Sequence, residues 1–175
     1  MIEWIVTPDT ANPKKGVVTG PVFKAPCALG RSGVRLVGEK REGDGYTPAG
    51  RYPLRYVYYR PDRIAAPMTG LPVYPLSVDM GWCDDPESPD YNRPVRLPFV
   101  PSHEQLWRDD EIYDLILVIG HNDSPVIAHM GSAVFVHIAR ENFSPTAGCV
   151  ALQQESLLRL LRQSGPGDQI VITYP

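Results

Sequence analysis

A chain of 175 residues and 19.4 kDa, 43% of them hydrophobic, has the material for one core but hardly for two, and is read as a single domain over residues 1–175. A formal charge of -3 and a pI near 5.8 provide no basic footprint, which excludes the electrostatic attraction that dominates nucleic-acid binding. Its 19 prolines and 15 glycines are scattered through the chain, which favours many short strands joined by ordered turns over a disordered tail.

In chain order, Ile2 to Val6 and Gly16 to Val22 read as short strands, followed by a glycine-rich stretch around Gly30, Arg31, Ser32 and Gly33. The segment Lys40 to Gly50 is dense in turn residues and leads into Arg51 to Tyr59, whose alternation and aromatic content predict a strand. Residues Pro61 to His103 carry much of the proline and the acidic run Asp84, Asp85, Glu87, and are expected to form a long excursion of loops walling a cleft. Leu115 to Gly120 and Ala133 to Ile138 are continuous apolar runs separated by a polar turn segment, an arrangement that lets them pair as a hairpin. Leu157, Leu158, Leu160 and Leu161 then fall at helical spacing, with Glu155 in the first turn, Arg159 and Arg162 near the end, and Gly165-Pro166 as the stop. Asp168 to Thr173 reads as a closing strand.

No apolar run approaches the ~20 residues of a membrane span, and the start of the chain lacks the pattern of an export signal. The expectation is a cytoplasmic protein as written, periplasmic if a leader precedes it. Three widely spaced cysteines, Cys27, Cys83 and Cys149, do not make a disulfide framework and fit a reducing compartment.

The chemistry concentrates in one segment. His137 ends an apolar strand, and Cys149 follows Gly148 in Thr146-Ala147-Gly148-Cys149. A thiol is nucleophilic as thiolate, and an imidazole brought near it is the usual way of making one at neutral pH. Cys149 and His137 are therefore the candidate catalytic pair, and Cys27 and Cys83 are read as structural thiols. The cysteine is expected near a strand-to-helix junction, where backbone N–H groups face a developing anion. His121, in Gly120-His121-Asn122-Asp123, is a candidate for orienting substrate. A rival chemistry, a zinc peptidase built on His121, His129 and His137, has a spacing unlike the helix-borne H-E-x-x-H pattern and no placed carboxylate. A non-catalytic binding module is a third reading.

His137, the Thr146-to-Cys149 run and the upstream Gly45-Tyr46-Thr47-Pro48-Ala49-Gly50-Arg51 together resemble the L,D-transpeptidase catalytic domain (YkuD-type) family, over roughly residues 28 to 173. The resemblance implies a mainly β fold, a barrel-like β-sandwich of mixed sheets with a short helix after the nucleophile. It implies peptidoglycan stem peptides or muropeptides as substrate, no cofactor and no metal. In that reading Cys149 attacks the amide between the L-centre of residue three and D-alanine, and His137 moves the proton. The backbone N–H groups of Gly148 and Cys149 hold the oxyanion.

Three positions depart from the family pattern. Ile138 replaces a glycine, Thr146 keeps the hydroxyl of a serine at a site facing substrate, and Ala151 stands where an arginine is usual. Either another residue then meets a substrate carboxylate, Arg140 being the nearest cation in sequence, or the substrate differs. Water is the favoured acceptor, making an L,D-carboxypeptidase of peptidoglycan recycling, with transpeptidation to a 3-3 cross-link as the alternative.

Overall fold

A computed structural model describes residues Met1 to Pro175. The strands run in chain order as β1 (Glu3–Pro8), β2 (Lys15–Gly20), β3 (Phe23–Ala28), β4 (Gly33–Leu36), β5 (Tyr46–Tyr59), β6 (Val73–Pro75), β7 (Met80–Cys83), β8 (Pro94–Arg96), β9 (His103–Gln105), β10 (Leu115–Ile119), β11 (Phe135–Ile138), β12 (Val150–Leu152) and β13 (Gln169–Ile172). Helix α1 (Gln154–Arg162) lies between the last two. The main sheet is ordered β10-β11-β12-β3-β2-β1-β13-β5-β4, and β10 also pairs with β5. That extra pairing joins the two ends of the run from β10 to β5 and closes it into a barrel of mixed parallel and antiparallel strands.

The closure depends on β5, which changes partners along its length. Gly50 to Pro53 pair with β13, whereas Leu54 to Tyr59 pair with β10. Inside the ring sits a core of 26 buried residues, including Trp4, Val6, Leu54, Val57, Val136 and Leu152. Helix α1 caps it with Leu157, Leu160 and Leu161, an i, i+3, i+4 stripe that is fully buried. The helix ends where the Ser164 hydroxyl donates to the Leu160 carbonyl (2.9 Å), just before Gly165-Pro166.

The predicted hairpin of the two apolar runs is present as the antiparallel pair β10–β11. Both strands are apolar on both faces because each face has a core to fill. Leu115, Leu117, Ile119, Val136 and Ile138 enter the barrel core, whereas Ile116, Val118 and Phe135 enter a second cluster with Trp82, Leu106, Tyr113 and Cys149.

The excursion from Pro61 to His103 is more ordered than loops. It adds β6 to β5 and folds β8-β7-β9 into a separate three-stranded sheet, whose Trp82 builds the second cluster. The strand expected to reach Val22 stops at Gly20, and Val22 is exposed. The strand expected from Arg51 begins earlier, at Tyr46.

Candidate active site

Strand register brings Cys149 and His137 together. In the parallel pair β11–β12, Val136 lies opposite Val150 and His137 opposite Ala151, so Cys149, one residue before β12, falls beside Phe135. With a period of two, Cys149, Ala151, Phe135 and His137 share the face turned away from the barrel core, and Cys149 and His137 are diagonal neighbours on it. Both line one cavity of about 300 Å³, together with Ala151, Thr146, Gly148 and Arg140.

The expected strand-to-helix junction is not where the cysteine lies. Cys149 sits at the entrance to β12, and α1 begins beyond the far end of that strand, after Gln153. Its N-terminal amides therefore do not serve the sulfur, since a helix end acts only within about one turn.

The nucleophile loop is held from the start of the chain instead. Thr146 N–H donates to Leu29 O (2.9 Å), Arg31 N–H donates to Thr146 O (2.8 Å), and Gly30 N–H donates to the buried Thr47 hydroxyl (2.8 Å). The Thr47-Pro48-Ala49-Gly50 motif is thus a scaffold under the loop. Gly148 has φ +144, and a Cβ there would stand 2.9 Å from the Tyr46 carbonyl oxygen, so only glycine suits this approach.

The thiol and imidazole are both neutral at rest. Burial, reinforced by the charge of Glu104, pushes the Cys149 thiol up to about 12, and burial brings His137 down to about 4. The Cys149 thiol donates to Ala133 O (3.2 Å) and accepts from Phe135 N–H (3.3 Å), and makes no hydrogen bond to His137. The Nδ1 of His137 pairs with the Ile138 carbonyl (2.9 Å), which accepts, so Nδ1 carries the proton and Nε2 is the basic nitrogen. The ring also packs edge-on against Tyr113 (5.3 Å between centroids), whose hydroxyl donates to Glu104 (2.6 Å).

The remaining sequence candidates fall in different places. Thr146 lines the cavity, but its hydroxyl is committed locally, donating to Cys149 O (2.7 Å) and accepting from Gly148 N–H (3.0 Å). Of the two expected oxyanion donors, Gly148 N–H is therefore engaged, whereas Cys149 N–H has no intramolecular acceptor. Arg140 lines the cavity with its guanidinium on Asp110 (3.2 Å).

His121 lies outside this cavity. It lines a neighbouring one of about 280 Å³ with Trp82, Asn92 and Phe135, packs on Tyr52, and has neither ring nitrogen hydrogen-bonded. The three histidines of the zinc reading do not converge. His129 is exposed beside Glu87 (2.9 Å), His121 and His137 lie in separate cavities, and no cluster of three metal-ligating side chains exists.

Asn92 was hidden from sequence reasoning. Its Oδ1 accepts from Ala133 N–H (3.0 Å) and Trp82 Nε1 (2.9 Å), and its Nδ2 donates to the carbonyls of His121 (3.0 Å) and Asn122 (2.8 Å). It fixes Ala133 in a left-handed conformation (φ +51), so the carbonyl that holds the thiol proton is set from the excursion. An asparagine among turn residues gives no sequence signal for that role.

A barrel with His137 on β11 and Cys149 at the entrance to the adjacent β12, over a glycine-tight loop, holds an imidazole and a thiol in one cavity, the equipment of a cysteine enzyme. The family model of the L,D-transpeptidase catalytic domain (YkuD) matches residues 10–172, and the chain belongs to that family. It is a cysteine enzyme of the family, acting on peptidoglycan-derived substrate. No curated protein and no solved structure matches the chain.

Proposed function

We propose that Cys149 is the nucleophile and His137 the general base and acid of an L,D-carboxypeptidase that removes D-alanine from the third residue of a stem peptide. The observation that carries this reading is the shared cavity, with thiol and imidazole on one face of β11–β12 and Nδ1 of the imidazole already committed to a carbonyl. Substrate carbonyl entering the cavity draws the thiol from Ala133 O toward Nε2. The sulfur bonds to the carbonyl carbon as Nε2 takes its proton, and Cys149 N–H faces the oxygen that becomes negative. The C–N bond then breaks, His137 gives that proton to the departing amine, and a thioester is left. Water, deprotonated by His137, attacks the thioester carbon, and the proton returns to the sulfur.

The cavity of about 300 Å³, at the lower end of ligand pockets, has room for one peptide end and is open to solvent, and water is the acceptor this reading favours. A second stem peptide supplying an amine would give transpeptidation by the same two residues. Incubation with disaccharide tetrapeptide and mass spectrometry of the products tests the choice. Tripeptide plus free D-alanine is expected, and a linked dimer as main product overturns the preference for hydrolysis. Cys149→Ser is expected to abolish turnover, and His137→Ala to slow it by on the order of 10²–10⁴.

A further inference from the structure

Four cationic side chains line the catalytic cavity, and three of them have a carboxylate partner, Arg108 and Arg140 sharing one. Lys40 is buried on Asp44 (2.6 Å), and Arg108 and Arg140 share Asp110, at 2.7 Å and 3.2 Å. Arg31 alone has no carboxylate partner; its guanidinium gives one N–H to the Gly43 carbonyl (3.1 Å) and keeps the others free. Arg31 is exposed, and its backbone is anchored. Its own N–H is bonded to Thr146 O in the nucleophile loop, and its Cγ and Nε pass within 2.9 Å of where a Cβ on Gly45 would stand. Gly45, at φ +75, leaves the space that the arginine stem occupies. Across from His137, Ala151 brings no charge to the cavity.

We propose that Arg31, the one of these cations without a carboxylate partner, binds a carboxylate of the substrate in this cavity, in preference to Arg140, which has one. A guanidinium with several free N–H groups recognises a carboxylate through two parallel hydrogen bonds. The assignment rests on the stem-peptide reading above and adds to it the group that is recognised. A stem peptide offers such a group at its C-terminus or on a side chain.

The test is calorimetric titration of Cys149→Ala protein, which binds without turnover, with three synthetic stem tetrapeptides: the free acid, the C-terminal amide, and the peptide amidated on its side-chain carboxylate. One amide is expected to bind on the order of tenfold to a hundredfold more weakly than the free acid, and which one identifies the carboxylate. Adding Arg31→Gln is expected to weaken the free acid to the level of that amide and to leave that amide unchanged. Equal binding of all three peptides by the protein that keeps Arg31 overturns the assignment without any further variant. So does an equal loss for all three on Arg31→Gln, or the same selective loss on Arg140→Gln. Failure of every peptide to bind overturns the stem-peptide reading itself and the Arg31 assignment with it.

Discussion

At the scale of the residue, the proposed nucleophile rests as a neutral thiol beside a neutral imidazole. The Cys149 thiol, pushed up to about 12 by burial and by the charge of Glu104, does not form an ion pair with an imidazole brought down to about 4. Alkylation by iodoacetamide, read by mass spectrometry, is therefore expected to be slow at pH 7 and to climb through pH 9 without a plateau, because the thiolate fraction grows only as pH approaches the raised pKa. Glu104 raises the thiol pKa, so Glu104→Gln is expected to lower it and to speed alkylation at every pH in that range. A plateau near neutrality would mean a preformed thiolate and would defeat this account. The Tyr113 hydroxyl keeps an acceptor in the glutamine variant, so the imidazole's aromatic neighbour stays in place.

At the scale of the element, the active face is assembled from segments remote in sequence. Asn92, in the excursion before β8, sets the Ala133 carbonyl and thereby the thiol's resting hydrogen bond. Asn92→Ala removes four hydrogen bonds from a buried position, leaving Trp82 Nε1 and Ala133 N–H without acceptors. A loss on the order of 3 kcal/mol in urea unfolding is expected, from the price of stranded buried donors. Alkylation of Cys149 in the surviving folded protein should be faster, since the carbonyl that holds the thiol proton is no longer fixed.

Much of this architecture was legible in the sequence where periodicity is strong. The β10–β11 hairpin, the stripe of α1 and the closing strand all follow from apolar spacing, and the barrel-like β fold and the family follow from the three motifs. Other elements carry no such signal. β3 holds Pro26 and β12 has three residues, so their pairing is made by neighbours rather than by propensity. The excursion reads as loops because its short strands are stabilised by one another and by the second cluster around Trp82. Arg31 is one residue of a glycine-rich stretch in the sequence, and its link to Thr146 appears only in the fold.

At the scale of the whole molecule, buried neutral histidines tie stability to pH. His121 and His137 are both brought down to about 4 by burial from an unfolded value of 6.5. Between these values the unfolded chain binds a proton that the folded one refuses, so stability is full above about 6.5 and falls as pH drops toward 4, by roughly 1.4 kcal/mol per pH unit per histidine at most. Glu104 and Asp114, whose carboxyls are raised, oppose this at the acid end. Urea unfolding at pH 7, 6 and 5 is expected to show the decline, and His121→Gln to reduce its slope by about half the histidine contribution. An unchanged slope in that variant would show that His121 titrates normally in the folded protein.

The union of β10 with β5 has a further consequence for how copies of this protein meet one another. The ring closes every strand border but one: β12 meets β3 at the single pair Ala151–Ala28, which leaves Phe23 to Cys27 with a strand on one side only, and Pro26 within that stretch has no N–H to offer. The strands left at margins, β4, β6, β8 and β9, span three or four residues each, too few to template an extended partner. Backbone pairing between copies is therefore confined to the short, proline-interrupted stretch of β3 until the ring opens, so fibril growth is expected to follow unfolding.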